Sequence, residues 1–158
     1  MRVVFLCSGN GGNMKFLNEI SKLSKNQSIS IIKVLGVIAD RDCGALEYCK
    51  KRGMVAQLHS FKRTEKEDLK LISILNNLSV DVIVTNVHKI ISERVVKSFE
   101  DKLLNVHYSI LPAFAGTIGM GTVENAIKRG CKVLGSTCHV VTNELDGGPI
   151  LCLSLIHI

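Results

Sequence analysis

The run Arg2-Val3-Val4-Phe5-Leu6-Cys7-Ser8-Gly9-Asn10-Gly11-Gly12-Asn13 decides how the rest of the chain is read. After Arg2 it is apolar without a break and rich in β-branched side chains, and it ends abruptly in serine, glycine and asparagine. A run of this kind fits a strand buried on both faces, as parallel strands are. From Met14 to Leu23 the apolar residues Met14, Phe16, Leu17, Ile20 and Leu23 recur at helical spacing, so the opening unit reads as strand, glycine loop and helix. Glycines at 11 and 12 let the backbone turn sharply and aim N–H groups at an anion beside the helix N-terminus, where the helix dipole adds attraction. The dinucleotide fingerprint would need glycine at position 14, which is Met14, and the phosphate loop of ATPases would need a Lys-Ser/Thr pair that this loop lacks.

The alternation continues outward. Residues 29–39 form a second β-branched run closed by Asp40-Arg41-Asp42, and residues 43–52 read as a helix with Ala45, Leu46 and Cys49 inward, stopped by Gly53. Residues 54–58 make a third strand. Thr64 opens a charged helix whose buried face is expected to hold Leu69, Ile72, Ile74, Leu75 and Leu78, and residues 82–84 follow as a fourth strand. Residues 92–99 read as a short helix capped by Ser92, with Val95, Val96 and Phe99 inward. A fifth strand, residues 102–106, delivers Asn105 and His107 at its end on the same side, because side chains two apart on a strand share a face. Residues 116–121 read as a glycine-rich loop, 122–129 as a helix closed by Gly130, 133–141 as a strand, and 149–152 as the opening of another. This alternation predicts an α/β fold, a three-layer αβα Rossmann-like arrangement with a mostly parallel sheet of about seven strands. In such sheets ligands bind beyond the carboxyl ends of the strands, which points to residues 8–13, 86–91 and 105–112.

At 158 residues, 46% apolar and 22% charged, the composition is that of a globular domain. The formal charge of +6 suits an anionic ligand, yet the lysines are dispersed and there is no tryptophan. With few aromatic platforms for stacking bases, a phosphorylated small molecule is the expected partner rather than nucleic acid. Six cysteines without a Cys-x-x-Cys pair support neither a zinc ribbon nor a thioredoxin motif, and free thiols in a reducing cytoplasm are expected. His139 beside Cys138 lacks a partner pair for a metal, so no metal is expected. The first apolar run is too short for a signal-peptide core, and no stretch is long enough to span a membrane.

Asn105, His107 and Asp146 are the candidate catalytic residues. Imidazole exchanges protons near neutral pH, an amide N–H can stabilise a developing oxyanion, and a carboxylate can orient a water or an imidazole. Taken singly, each has a structural use: a histidine at a strand end is commonly a hydrogen-bonded core residue, and Asp-Gly is a common turn. Together, with no serine or cysteine nucleophile evident beside a base, they suit direct transfer of an acyl group to a substrate amine.

The spaced residues Asn105-x-His107-x-Ser109-x-Leu111-Pro112-x-Phe114-x-Gly116, then Gly135-x-Thr137-x-His139-x-Val141 and Asp146-Gly147-Gly148-Pro149-Ile150, resemble the 10-formyltetrahydrofolate-dependent formyltransferase family over nearly the whole chain. The resemblance implies that Asn105 and His107 polarise the formyl carbonyl and that Asp146 assists proton removal from the amine. It implies that Gly11, Gly12 and Asn13 hold a substrate phosphate. It further implies a folate site formed by His88, Lys89, Ile90 and Ile91 together with Asn105, Val141, Asn143 and Glu144. The loop at residues 8–13 favours phosphoribosylglycinamide in purine synthesis as the amine. A nucleotide-linked amino sugar is the alternative substrate, and a non-catalytic Rossmann-type nucleotide binder the alternative class. A monomer or homodimer without membrane or nucleic-acid partners is expected. This chain differs from the family at Thr85-Asn86-Val87-His88 and has glycine at position 12 where serine is usual. Residues 1–152 are expected to form the formyltransferase domain with its C-terminal part missing, and residues 153–158 to be a non-native tail.

Overall fold

The unbroken apolar run Val3–Cys7 becomes the interior of β1 (Arg2–Cys7), every residue of which after Arg2 is buried. The computed structural model describes residues 1–23, 31–117 and 121–157, and its chain divides into two compact units, Met1–Ser98 and Phe99–Ile158. In the first unit β1 pairs in parallel with β2 (Lys33–Ala39) and with β4 (Val82–Asn86), and β2 pairs in parallel with β3 (Val55–Leu58), giving the order β3-β2-β1-β4. Val3, Phe5 and Cys7 pack in one cluster with Met14, Ala45, Leu46 and Cys49 from the helices α1 (Gly12–Leu23) and α2 (Gly44–Lys51). Val4 and Leu6 point the other way by strand alternation and are equally buried, so both faces of this sheet are covered.

The helices follow the sequence periodicity with two exceptions. In α1 the buried positions are Met14 and Asn18, an i, i+4 pair, whereas Phe16 and Leu23 are 68% and 80% exposed. The buried Asn18 amide is satisfied by donating to Tyr48 Oη at 2.8 Å, which lets a polar residue take the inward position. In α3 (Glu65–Asn77) the buried residues are Leu71 and Leu75, an i, i+4 pair, whereas Leu69 is 52% exposed; this helix packs against α4 (Glu93–Ser98). Thr64 caps α3 by accepting from the Glu67 N–H at 3.4 Å, with Glu65, Glu67 and Asp68 in the dipole-favoured first turn. Ser92 caps α4 in the same way through Val95 N–H, with Val95, Val96 and Phe99 buried as expected. Part of the second β-branched run, residues 29 and 30, lies outside the described residues.

The second unit contains β5 (Leu103–His107), α5 (Gly121–Lys128), β6 (Val133–Val140) and β7 (Ile150–His157). Here both pairings, β5 with β6 and β6 with β7, are antiparallel. Among the described residues the strands number seven, in line with the about seven expected from the sequence. β7 runs past Cys152 through residues 153–157, which pair with Val133–Thr137, and all its residues are exposed. Among the described residues no helix is long and apolar enough to cross a membrane.

Candidate active site

Antiparallel register assembles the polar face of the second unit. Asn105 lies opposite His139 and His107 opposite Thr137, so alternation puts all four side chains on one face of β5 and β6. Asn105 Nδ2 is 3.2 Å from His139 Nε2. Beyond β5 the chain turns through Tyr108–Thr117 with a cis Leu111–Pro112 bond, and this turn is tied to β6 by one buried hydroxyl. Thr137 Oγ1 accepts from Leu111 N–H at 3.0 Å and donates to the Ser109 carbonyl at 2.7 Å. Ser109 Oγ donates to the Ala113 carbonyl, so its hydroxyl proton is directed at backbone rather than at an imidazole.

His107 is buried at the end of β5, and each of its ring nitrogens faces an oxygen. Nε2 is 3.1 Å from the Phe114 carbonyl, which can only accept, so Nε2 carries hydrogen. Nδ1 is 3.4 Å from Asp146 Oδ2. Phe114 brings its carbonyl there from a left-handed backbone conformation, φ 60°, in a turn closed by Thr117 N–H on the same carbonyl at 3.3 Å.

Asp146 reaches the histidines from the turn that follows β6. Gly147 N–H donates to the Glu144 carbonyl at 3.2 Å, and Asp146 occupies the third place of this turn with φ 53°, a conformation that aspartate tolerates better than most residues. Its side chain is 8% exposed. Oδ2 accepts from Gly116 N–H at 2.8 Å, and Oδ1 lies 3.6 Å from His139 Nε2. The turn returns so close to β6 that a Cβ on Gly148 would sit 1.9 Å from the Val140 carbonyl oxygen, so only glycine fits. Asp-Gly thus serves both as a turn and as the carrier of an inward carboxylate. Among the described residues no group of three or more His, Cys, Asp or Glu side chains is placed to hold a metal ion.

The first unit carries the glycine loop. Gly11 has φ 66°, and a Cβ on it would lie 2.8 Å from Ala45 Cβ, whereas a Cβ on Gly12 would meet nothing within 4 Å. Glycine is therefore required at 11 by α2 and is free to vary at 12. Lys15 N–H begins the α1 hydrogen bonds on the Gly11 carbonyl at 2.9 Å, so the N–H groups of Gly12 and Asn13 stand at the helix N-terminus, where none has an intrahelical acceptor. Asn13 Nδ2 donates to Asn86 Oδ1 at 3.4 Å, and Ser8 Oγ accepts from His88 N–H at 2.7 Å. These bonds bring residues 8–13 and 86–88 of the first unit together. His88, Lys89 and Ile90 are exposed and Ile91 half-buried; in the second unit Val141 is half-buried and Asn143 and Glu144 are exposed.

Sequence reading placed Asn105, His107 and Asp146 among the site residues, and they share one cluster. It passed over the Phe114 carbonyl, the Gly116 N–H and the Thr137 hydroxyl. Backbone groups leave no mark in a pattern of side chains; Thr137 and His139 did stand in the spaced motif, two apart on a predicted strand.

Residues 1–158 match the family model described as formyl transferase. Phosphoribosylglycinamide formyltransferase of Escherichia coli (strain K12) is 31% identical over 96% of this chain and 70% of that protein. The chloroplastic phosphoribosylglycinamide formyltransferase of Arabidopsis thaliana is 29% identical over 99% of this chain, which spans 55% of that longer protein. The crystal structure of glycinamide ribonucleotide transformylase 1 from Symbiobacterium toebii superposes with a TM-score of 0.84 at 27% identity, over 99% of this chain and 73% of that one. The fold is therefore the Rossmann-like α/β fold of those enzymes, and on a match that runs the length of the chain this protein belongs to the formyl transferase family.

Proposed function

We propose that the chain transfers the formyl group of 10-formyltetrahydrofolate to the amine of phosphoribosylglycinamide, a step of purine synthesis. The observation that carries this reading is the clustering of Asn105, His107 and Asp146, a donor amide, an imidazole and a carboxylate, on a turn and strand end that offer no activated serine. The names of the E. coli and Arabidopsis relatives support the choice of amine.

The donor set fits a formyl carbonyl, because Asn105 Nδ2–H and His107 Nε2–H are both hydrogen-bond donors near the same face of β5. The folate supplies an activated one-carbon unit on nitrogen, and the chain's own groups do the rest. Asn105 donates to the carbonyl oxygen as it gains negative charge. His107 Nε2–H exchanges the Phe114 carbonyl for that oxygen, the better acceptor once charge develops. Asp146 takes up, through water, the proton released when the amine nitrogen bonds to the formyl carbon, and the bond from that carbon to the folate nitrogen breaks as the same proton is passed on to that nitrogen. Gly12 and Asn13 N–H groups cradle the ribose phosphate at the α1 N-terminus, with Gly11 shaping the turn. In the first unit residues 88–91, and in the second unit Asn105, Val141, Asn143 and Glu144, are each assigned to folate by the family resemblance. The cysteines, all unpaired among the described residues, suit a cytoplasmic enzyme.

The test mixes purified protein with 10-formyltetrahydrofolate and phosphoribosylglycinamide and follows tetrahydrofolate release. Asn105→Ala is expected to slow turnover about a hundredfold, the usual effect of removing one oxyanion donor. Equal turnover in that variant, or none from the folded wild type, overturns the reading. A nucleotide-linked amino sugar in place of the glycinamide is the control substrate.

A further inference from the structure

We infer that His139 is a positioning residue for the formyl transfer proposed above: it holds the Asn105 amide in the one orientation that aims an N–H at the formyl oxygen. The inference rests on that reading for its catalytic consequence, while the orientation itself stands on geometry within the second unit.

His139 is 2% exposed, and its Nδ1 lies 3.0 Å from the carbonyl oxygen of Val140. That oxygen can only accept, so Nδ1 carries the hydrogen and, in the neutral ring, Nε2 presents a lone pair. Nε2 faces Asn105 at 3.2 Å. An asparagine can meet a lone pair only with its NH2 group, because its carbonyl oxygen would oppose one lone pair with another. The Val140 carbonyl therefore selects the His139 tautomer, and the tautomer selects the Asn105 amide face. One Nδ2 hydrogen is spent on His139, and the second leaves the same nitrogen at about 120° to the first, fixed in direction as a preorganised oxyanion donor must be.

The same tautomer keeps Asp146 for His107. Asp146 Oδ1 is 3.6 Å from His139 Nε2, and a hydrogen on that nitrogen would draw the carboxylate toward His139. With Nε2 unprotonated, the carboxylate keeps its hydrogen bond from Gly116 N–H at 2.8 Å and its place 3.4 Å from His107 Nδ1. Register explains why one residue can serve both neighbours: Asn105 and His139 are direct cross-strand partners. A histidine that merely filled the core would need neither the carbonyl on one nitrogen nor the amide on the other.

Two measurements on the intact chain test this. Nitrogen-15 spectra of the histidine-labelled wild type should show His139 with hydrogen on Nδ1 and none on Nε2; hydrogen on Nε2 overturns the inference, whatever the catalytic outcome. Kinetics of His139→Phe, Asn105→Ala and the double variant follow. His139→Phe is expected to lower kcat toward the roughly hundredfold loss of an absent oxyanion donor, with KM for the glycinamide substrate little changed. The double variant should be no slower than Asn105→Ala alone, and His139→Gln, whose side-chain oxygen can accept from Asn105, should recover part of the loss. Losses that add in the double variant, or no recovery in His139→Gln, overturn it. Should His139→Phe fail to fold, the spectra and His139→Gln decide. Should the wild type transfer no formyl group, the functional reading fails, and the spectra still decide the orientation of Asn105.

Discussion

Thr137 and Leu111, 26 residues apart, are joined by a buried hydrogen bond of 3.0 Å from the Leu111 N–H to the threonine hydroxyl. The same hydroxyl donates to the Ser109 carbonyl, so a single oxygen satisfies a donor and an acceptor of the turn that follows His107. Thr137 is wholly buried, and no water can replace its hydroxyl without opening the turn. Thr137→Val keeps the shape and removes both bonds. It is expected to destabilise the protein by about 1–3 kcal/mol, the penalty of leaving buried backbone groups unpaired, and Thr137→Ser by less. Urea midpoints of the three proteins check this; equal midpoints for wild type and Thr137→Val would show that the turn stands without the clamp.

Asp146→Asn separates charge from scaffold. The amide oxygen can still accept from Gly116 N–H, so the turn should persist and the circular dichroism spectrum should not change. The negative charge beside His107 is lost, and turnover in the formyl-transfer assay is expected to fall by about 10²-fold or more, as for loss of a general acid–base group. Turnover within a factor of about two of wild type, which by rate arithmetic is a negligible barrier change, would remove Asp146 from the chemistry.

His59 gives the first unit a pH-dependent stability. It is buried edge-on against Phe61, and its Nδ1 makes no hydrogen bond, with Glu67 Oε2 3.8 Å away. Burial pushes its pKa below the ordinary histidine value, outweighing the upward pull of Glu67. The unfolded chain therefore takes up a proton at a higher pH than the folded one does. Stability should fall as pH drops below about 6.5, the unfolded value, until the folded pKa is passed. Urea midpoints measured across that range should slope for wild type and flatten for His59→Gln. An equal slope in the two proteins would assign the dependence to other groups.

The cysteines should divide by reactivity. Burial, with the nearby thiols of Cys43 and Cys49, pushes the Cys7 thiol up to about 12, and burial pushes Cys49 up to about 11. Cys152 is exposed on β7. A charged thiol reagent at mildly alkaline pH should therefore modify Cys152 first and reach Cys7 and Cys49 only after denaturant is added, because the thiolate is the reacting form. Peptide mass mapping reads the order; early modification of Cys7 in the folded protein would contradict the packing of β1.

Much of this is legible in the sequence. Strand, loop and helix at residues 2–23 followed from an apolar run that stops at glycine, and the same-side placement of Asn105 and His107 followed from their spacing on a strand. The inward faces of α1 and α3 were less so. Phe16 and Leu69 fit a helical pattern yet lie exposed, while Asn18 is buried because Tyr48 supplies its hydrogen bond. Periodicity reports which residues share a face; what packs against that face is set elsewhere in the chain.

By itself, then, the sequence determined the alternation of strands and helices, the identity of the amide, imidazole and carboxylate, and the family to which their spacing belongs. These are local matters, governed by backbone propensity and by residue type at short range. The tertiary structure alone decided that Asp146 meets His107, that the Phe114 carbonyl and the Gly116 N–H occupy those two groups, and that His139 stands against Asn105. Such contacts join segments distant in sequence, and they depend on sheet register, on a positive-φ turn at Asp146 and on a backbone approach that only Gly148 permits.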